Sequence, residues 1–150
     1  MKIGLIGVGR WGKNIVSTIN KVKEIELIAV ASRNINTKTI VPNNCIIYRD
    51  WNKLIQDTQL DGIIISTPPN THYEIAKSCL LKNINTLVEK PLTLNIKESY
   101  HLKEISNARK IILMTEFTQV FNPIFQELIK SINLLKGIKS IITEASNFGP

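Results

Sequence analysis

Six short apolar runs set the strongest limit on what this chain can fold into: KIGLIG (2–7), ELIAVA (26–31), CIIY (45–48), DGIIIST (61–67), NTLVE (85–89) and IILMT (111–115). Most are continuously apolar rather than alternating. Parallel strands covered on both faces have that pattern, whereas half-solvated antiparallel strands do not. Helical stretches separate the runs. Trp11, Ile15, Ile19 and Val22 mark one helix face, and a second helix starts at Thr71-His72-Tyr73-Glu74. There Thr71 and Glu74 form a capping box that satisfies free backbone donors. A third helix starts near Asn95, with Glu98 at the matching offset. Strand and helix in repeated alternation, joined by right-handed crossovers, predict an α/β fold with a doubly wound parallel sheet. There is no internal repeat and no low-complexity tract.

Composition fits that frame. The chain has 150 residues, 43% of them hydrophobic, and at this length roughly 68–70% of the unfolded surface can be buried without staples. Lys and Arg outnumber Asp and Glu by 19 to 12, a formal charge of +7. The basic residues are scattered and carry no interleaved aromatics, so nucleic acid is not an expected partner; anionic small molecules are. Cys45 and Cys79 have neither metal-site spacing nor the density of a disulfide framework. Both are expected to be core thiols, Cys79 on a buried face with Ala76 and Leu80, and no metal is expected. Met1-Lys2 leads straight into a strand without a signal segment, and no apolar run approaches the roughly 18 residues of a membrane span. The expectation is a soluble, cytoplasmic protein.

The first strand runs into Gly7-Val8-Gly9-Arg10-Trp11-Gly12 and then into a helix. In that setting GxGxxG is a phosphate-binding signal. Gly7 permits the tight turn, Gly9 lets a pyrophosphate approach the backbone, and Gly12 lets the helix pack closely on the sheet. The free N–H groups and positive dipole end of the helix favour phosphate. At the end of the second strand, where an acid would bind ribose hydroxyls, the chain reads Ala31-Ser32-Arg33-Asn34. A hydroxyl and a guanidinium there suit a 2′-phosphate, so NADP is favoured over NAD.

Ligands of open parallel sheets bind outside the carboxyl ends of the strands. Ser66-Thr67-Pro68-Pro69-Asn70 leaves one strand at that edge and Glu89-Lys90-Pro91 leaves the next, so both should face the cleft. Proline after each strand ends the ladder and stiffens the turn. Glu89 either orients Lys90 or merely terminates its strand.

GLIGVGRWG, STPPNTHYEIA and VEKPLTLN, in that order, resemble the glucose-fructose oxidoreductase, inositol dehydrogenase and rhizopine-catabolism (Gfo/Idh/MocA) family, E-K-P being the most specific part. The resemblance implies a Rossmann domain that binds NAD or NADP and a substrate that is a sugar, cyclitol or related polyol. It implies that Lys90 borders the nicotinamide and contacts substrate as a catalytic residue. It also implies that Thr67, Pro68, Asn70 and His72 line the cofactor, beside Gly7, Gly9, Arg10, Trp11, Gly12, Ser32, Arg33, Ser66 and Glu89.

By the same resemblance Phe121-Asn122-Pro123 looks like entry into a second domain, which divides the chain into 1–116 and the beginning of a substrate domain at 117–150. Phe121, Phe125, Leu128, Ile129, Ile132 and Leu135 recur at helical spacing, Gly137 closes that helix, and 138–148 reads as another strand. Such a tail is expected to expose apolar surface and to build a homo-oligomer. The family's acid/base histidine lies in a motif that these residues do not contain. Two other readings therefore stand beside the dehydrogenase: an inactive nucleotide-binding module or subunit, and a different Rossmann protein such as a methyltransferase, against which the E-K-P turn argues.

Overall fold

The computed structural model describes residues 1–134 together with 140 and 142. Its elements follow in order as β1 (Lys2–Ile6), α1 (Arg10–Ile19), β2 (Glu26–Ala31), β3 (Ile46–Tyr48), α2 (Trp51–Asp57), β4 (Gly62–Ile65), α3 (His72–Leu81), β5 (Asn85–Glu89), α4 (Ile96–Arg109), β6 (Leu113–Glu116) and α5 (Pro123–Leu134). The six strands form one parallel sheet in the order β3-β2-β1-β4-β5-β6. The fold class read from the apolar runs is the one observed. The order reverses between β1 and β4, and a doubly wound sheet opens its crevice at that switch point.

Apolar side chains from alternate positions fill the two faces of the sheet. Ile3 and Leu5 of β1 pack with Ile15, Val16 and Ile19 of α1. Ile6 joins Leu54 of α2, Ile75 and Leu80 of α3, and Leu102 of α4. Leu5, Leu54, Ile65, Leu80 and Leu102 have no exposed surface, and each such side chain contributes about 1.5–3 kcal/mol through removal from water. Cys45 and Cys79 are both buried and free, Cys79 beside Ala76 and Leu80 as expected.

Three local expectations are corrected. Trp11 does not share the buried face of α1: it is 46% exposed, and the stripe is Gly12, Ile15, Val16 and Ile19. The helix ends at Ile19, which leaves Val22 in the following turn. Thr71 and Glu74 form no capping box. A 3-10 turn over Pro69–Thr71 leads into α3, and the Thr71 hydroxyl points back, 2.7 Å from both Pro68 O and Thr67 Oγ1. Strand ends also retreat. Asp61 stands before β4, accepting from Lys2 N at 2.7 Å, and Ile111 closes α4 through its bond to Ser106 O.

A helix not expected from the sequence, α2, is capped by Asp50, whose Oδ1 accepts from Asn52 N at 2.9 Å. Asn95 caps α4 in the same way through Lys97 N.

The chain divides into a unit of Met1–Glu116 and a second that begins at Phe117. In the second, Asn122 caps α5 by accepting from Ile124 N at 2.9 Å. Phe125, Leu128 and Ile129 are each about two-fifths exposed (38%, 41%, 41%), and Ile124 is 81% exposed. The expected helix closure at Gly137 and strand at 138–148 lie outside the described residues. No helix among the described residues is long and apolar enough to cross a membrane.

Candidate functional site

The glycine-rich turn joins β1 to α1 at the switch point. Gly7 has φ +99°, a left-handed backbone that a side chain would strain, and a Cβ there would lie 2.6 Å from Ser66 O. Gly12 is needed for close approach, since a Cβ would lie 2.2 Å from Gly7 O. Gly9 differs from both: nothing lies within 4 Å of the position its Cβ would take. It is the N-cap of α1, with no side-chain cap and no acid in the first turn. The leading N–H groups of the helix are thus left for an external acceptor, and the dipole there favours an anion. Arg10 and Trp11 are exposed beside it.

Polar bonds lace this turn to the neighbouring strand ends. Gly7 N donates to Ala31 O at 2.9 Å, and Ser66 Oγ donates to Gly7 O at 2.8 Å. The Ser66 hydroxyl is therefore committed to shaping the turn. After β2, Ser32 Oγ accepts from Asn34 N (3.1 Å) and from Thr37 Oγ1 (2.9 Å), while Asn34 Nδ2 donates to Val8 O at 3.2 Å. Arg33 is exposed and forms no ion pair among the described residues, so its guanidinium is free to meet an anion. Asn34 escaped the sequence reading; its place after Arg33, in a turn residue type, was the available signal.

The turns after β4 and β5 stand side by side, because Ile65 and Val88 are register partners. Pro68, Asn70, Lys90 and Pro91 are exposed there, and Thr67 is half-buried. The Lys90–Pro91 peptide bond is cis. Glu89 Oε2 accepts from Lys90 N at 2.8 Å, so its carboxylate fixes the Lys90 backbone. His72 has no exposed surface, and its Nδ1 and Nε2 lie 2.8 Å from Pro91 O and Thr67 O. Its ring offers no surface to a ligand; it joins two turns that do.

Glu116, at the end of β6, also escaped the sequence reading. Burial raises its carboxyl above the usual glutamate range, the neighbouring Glu89 charge raises it further, and the Trp11 indole opposes both. One Glu116 oxygen is buried without a hydrogen-bond partner among the described residues. Burial pushes the Cys45 thiol up to about 11 and the Cys79 thiol up to about 12, which keeps both unreactive at neutral pH. No group of three or more His, Cys, Asp or Glu able to hold a metal occurs among the described residues. A groove between α4 and β6, lined by Leu92, Tyr100, Leu113 and Thr115, contains none of the predicted site residues.

Residues 1–117 match the model of an oxidoreductase family with an NAD-binding Rossmann fold, Gfo/Idh/MocA. Myo-inositol 2-dehydrogenase of Thermotoga maritima is 28% identical over 138 residues, covering 88% of this chain and 40% of that protein. A solved structure from Magnetospirillum magnetotacticum superposes with a TM-score of 0.82 at 35% identity, over 89% of this chain and 43% of the other. The scyllo-inositol dehydrogenase of Lactobacillus casei, solved with NAD(H) and scyllo-inositol, has a TM-score of 0.81 at 21% identity, over 89% and 41%. At that identity the likeness is one of fold. The chain spans about two-fifths of the length of these proteins.

Proposed function

The chain belongs to the Gfo/Idh/MocA oxidoreductase family, and from that membership we propose that it is the dinucleotide-binding part of an NAD(P)-dependent dehydrogenase. The reaction is hydride transfer between nicotinamide and a secondary alcohol or carbonyl of a cyclitol, sugar or related polyol. The observation that carries this reading is the uncapped N-terminus of α1 behind an open Gly9. The space a Cβ would enter is vacant there, and the free N–H groups suit a pyrophosphate. The inositol dehydrogenases among the relatives favour a cyclitol or similar polyol as the substrate class.

A bound nicotinamide supplies or accepts the hydride. The chain's own residues do the rest of what this part of the protein does. Gly9 and the first turn of α1 hold the diphosphate, and Ser66 and Gly12 keep that turn in shape. Arg33 meets a 2′-phosphate, which favours NADP over NAD. Thr67, Pro68 and Asn70 line the nicotinamide side, with Lys90 donating to the substrate oxygen as its charge grows.

A second reading, a binding module without turnover of its own, draws on the histidines. The sequence has two: His72 is buried between backbone carbonyls, and His101 Nδ1 of α4 lies 2.7 Å from Tyr73 OH of α3. Neither is placed to take the hydroxyl proton. Isothermal titration with NAD(H) and NADP(H) tests the cofactor reading, which fails if the folded chain binds none of them. Nicotinamide oxidation with carbonyl substrates then separates the two readings: turnover by these 150 residues rules out the inert module.

A further inference from the structure

Lys90 does its proposed work only if its turn is held at a fixed distance from the turn that lines the nicotinamide side. Two bonds hold it. Glu89 Oε2 accepts from Lys90 N on one side, and on the other Pro91 O lies 2.8 Å from His72 Nδ1. The second ring nitrogen, Nε2, is 2.8 Å from Thr67 O in the neighbouring turn. His72 is the first residue of α3, which packs on the same face of the sheet as Val88 of β5. One rigid ring thus spans the gap between two strand-end turns that are 24 residues apart in sequence (67 to 91). Its two nitrogens face the main chain of both.

We propose that His72 is the positioning residue for Lys90, setting the separation of the Lys90 turn from the Thr67 turn and hence the width of the nicotinamide end of the cleft. This rests on the cofactor reading given above and goes beyond it by naming what holds the lysine. The chemistry fits the task. Proline fixes its own φ, so a bond to Pro91 O restrains the residue before it more than a bond to a freer residue would. Lys90 itself is exposed and forms no ion pair among the described residues, so the backbone is what aims it. Either ring tautomer donates to one of the two carbonyls and sets the other nitrogen against the second; the doubly protonated ring donates to both. An apolar side chain of the same size would fill the space and leave both carbonyls without this partner.

The test compares NADH with ADP-ribose, which shares the adenosine and diphosphate but lacks nicotinamide. In the unaltered chain NADH should bind more tightly, and Lys90→Ala should lower that preference by roughly fivefold, the worth of one net hydrogen bond. His72→Leu should lower it to the same extent with ADP-ribose affinity unchanged. The double variant should fall no further, because both changes remove one effect. His72→Gln, whose amide can reach one carbonyl, should restore part of the preference. An unchanged preference in His72→Leu, equal weakening of both ligands, or additive losses in the double variant overturns the proposal. If His72→Leu does not fold, the ring nitrogen resonances of the unaltered chain decide. They should shift with NADH but not with ADP-ribose, and equal responses to both overturn the clamp. Where the unaltered chain prefers the phosphorylated cofactor, NADPH and 2′-phospho-ADP-ribose replace the two ligands. Failure to bind any of NADH, NADPH and these fragments sinks the cofactor reading, and this inference with it.

Discussion

Glu116 lies directly across from Glu89, the two being register partners at the ends of parallel strands β5 and β6. Two carboxylates so placed repel, and burial of Glu116 adds to the cost of its charge. Its folded-state pKa is therefore above its unfolded value. In the pH window just above the ordinary glutamate range the folded chain binds more protons than the unfolded one, so this group's contribution to stability falls as pH rises. Urea midpoints measured from acid to neutral pH should decline less in Glu116→Gln than in the unaltered chain. Parallel pH profiles would show that the pair has no effect on folding.

The glycines of the turn should separate structure from binding. Gly12→Ala puts a Cβ 2.2 Å from Gly7 O, and the overpacking should cost about 1–3 kcal/mol, read as a lower urea midpoint. At Gly9 an added Cβ meets nothing within 4 Å, so the fold of Gly9→Val should persist while dinucleotide binding is lost. A Gly9→Val chain that binds as before would place the pyrophosphate elsewhere.

Arg33→Ala should weaken NADP(H) binding and leave NAD(H) nearly unchanged, since only the former carries the 2′-phosphate. A charge-assisted contact at an exposed site suggests a loss of about tenfold in Kd, near 1.5 kcal/mol. Titration calorimetry decides it, and equal losses for both cofactors would assign Arg33 another role.

Thiol labelling should be slow in the native chain. With Cys45 raised to about 11 and Cys79 to about 12, the thiolate fraction at pH 8 is small for either, and burial blocks approach. Iodoacetamide should modify both cysteines only after denaturant is added. Rapid labelling of Cys79 without denaturant would mean that α3 opens readily.

The apolar face of α5 should drive self-association. Phe125, Leu128 and Ile129 are each about two-fifths exposed, and pairing of two such helices is the simplest way to cover them. Light scattering should find a dimer for the full chain and a monomer for one ending at Thr115. A monomeric full chain contradicts this expectation.

The parallel sheet was legible in the sequence because continuous apolar runs are what strands covered on both faces require. Its strand order and register were not, since runs without alternation do not penalise a slip. What escaped was short or relational. α2 is a brief helix whose strongest mark, Asp50 before Trp51, is a cap rather than a period. The Thr71-to-Glu74 spacing fits a capping box, yet a preceding 3-10 turn rotates Thr71 away from the helix end. In the candidate site Gly7 and Gly12 were readable because each answers a steric demand, and Gly9 because of its place between them in a strand-to-helix turn. Glu116 was not, since an acid ending a strand becomes unusual only when the neighbouring strand brings Glu89 beside it. His72 was singled out as a cofactor-lining residue, but periodicity along one element cannot reveal that its ring turns inward to two other elements.

The bonds that shape the cleft's lip share a direction. Asn34 reaches Val8 O, Ser66 reaches Gly7 O, and His72 lies between Thr67 O and Pro91 O. At these three positions each acceptor is a main-chain oxygen, which any amino acid supplies, whereas Glu89 holds Lys90 N with a side-chain oxygen. As far as these contacts go, the lip's outline is written in positions 34, 66 and 72. Of the residues they hold, Gly7 is fixed by its φ of +99°, while Thr67 is held through an oxygen that does not depend on its side chain. New ligand preferences can therefore evolve at Thr67 while the frame that presents it stays put.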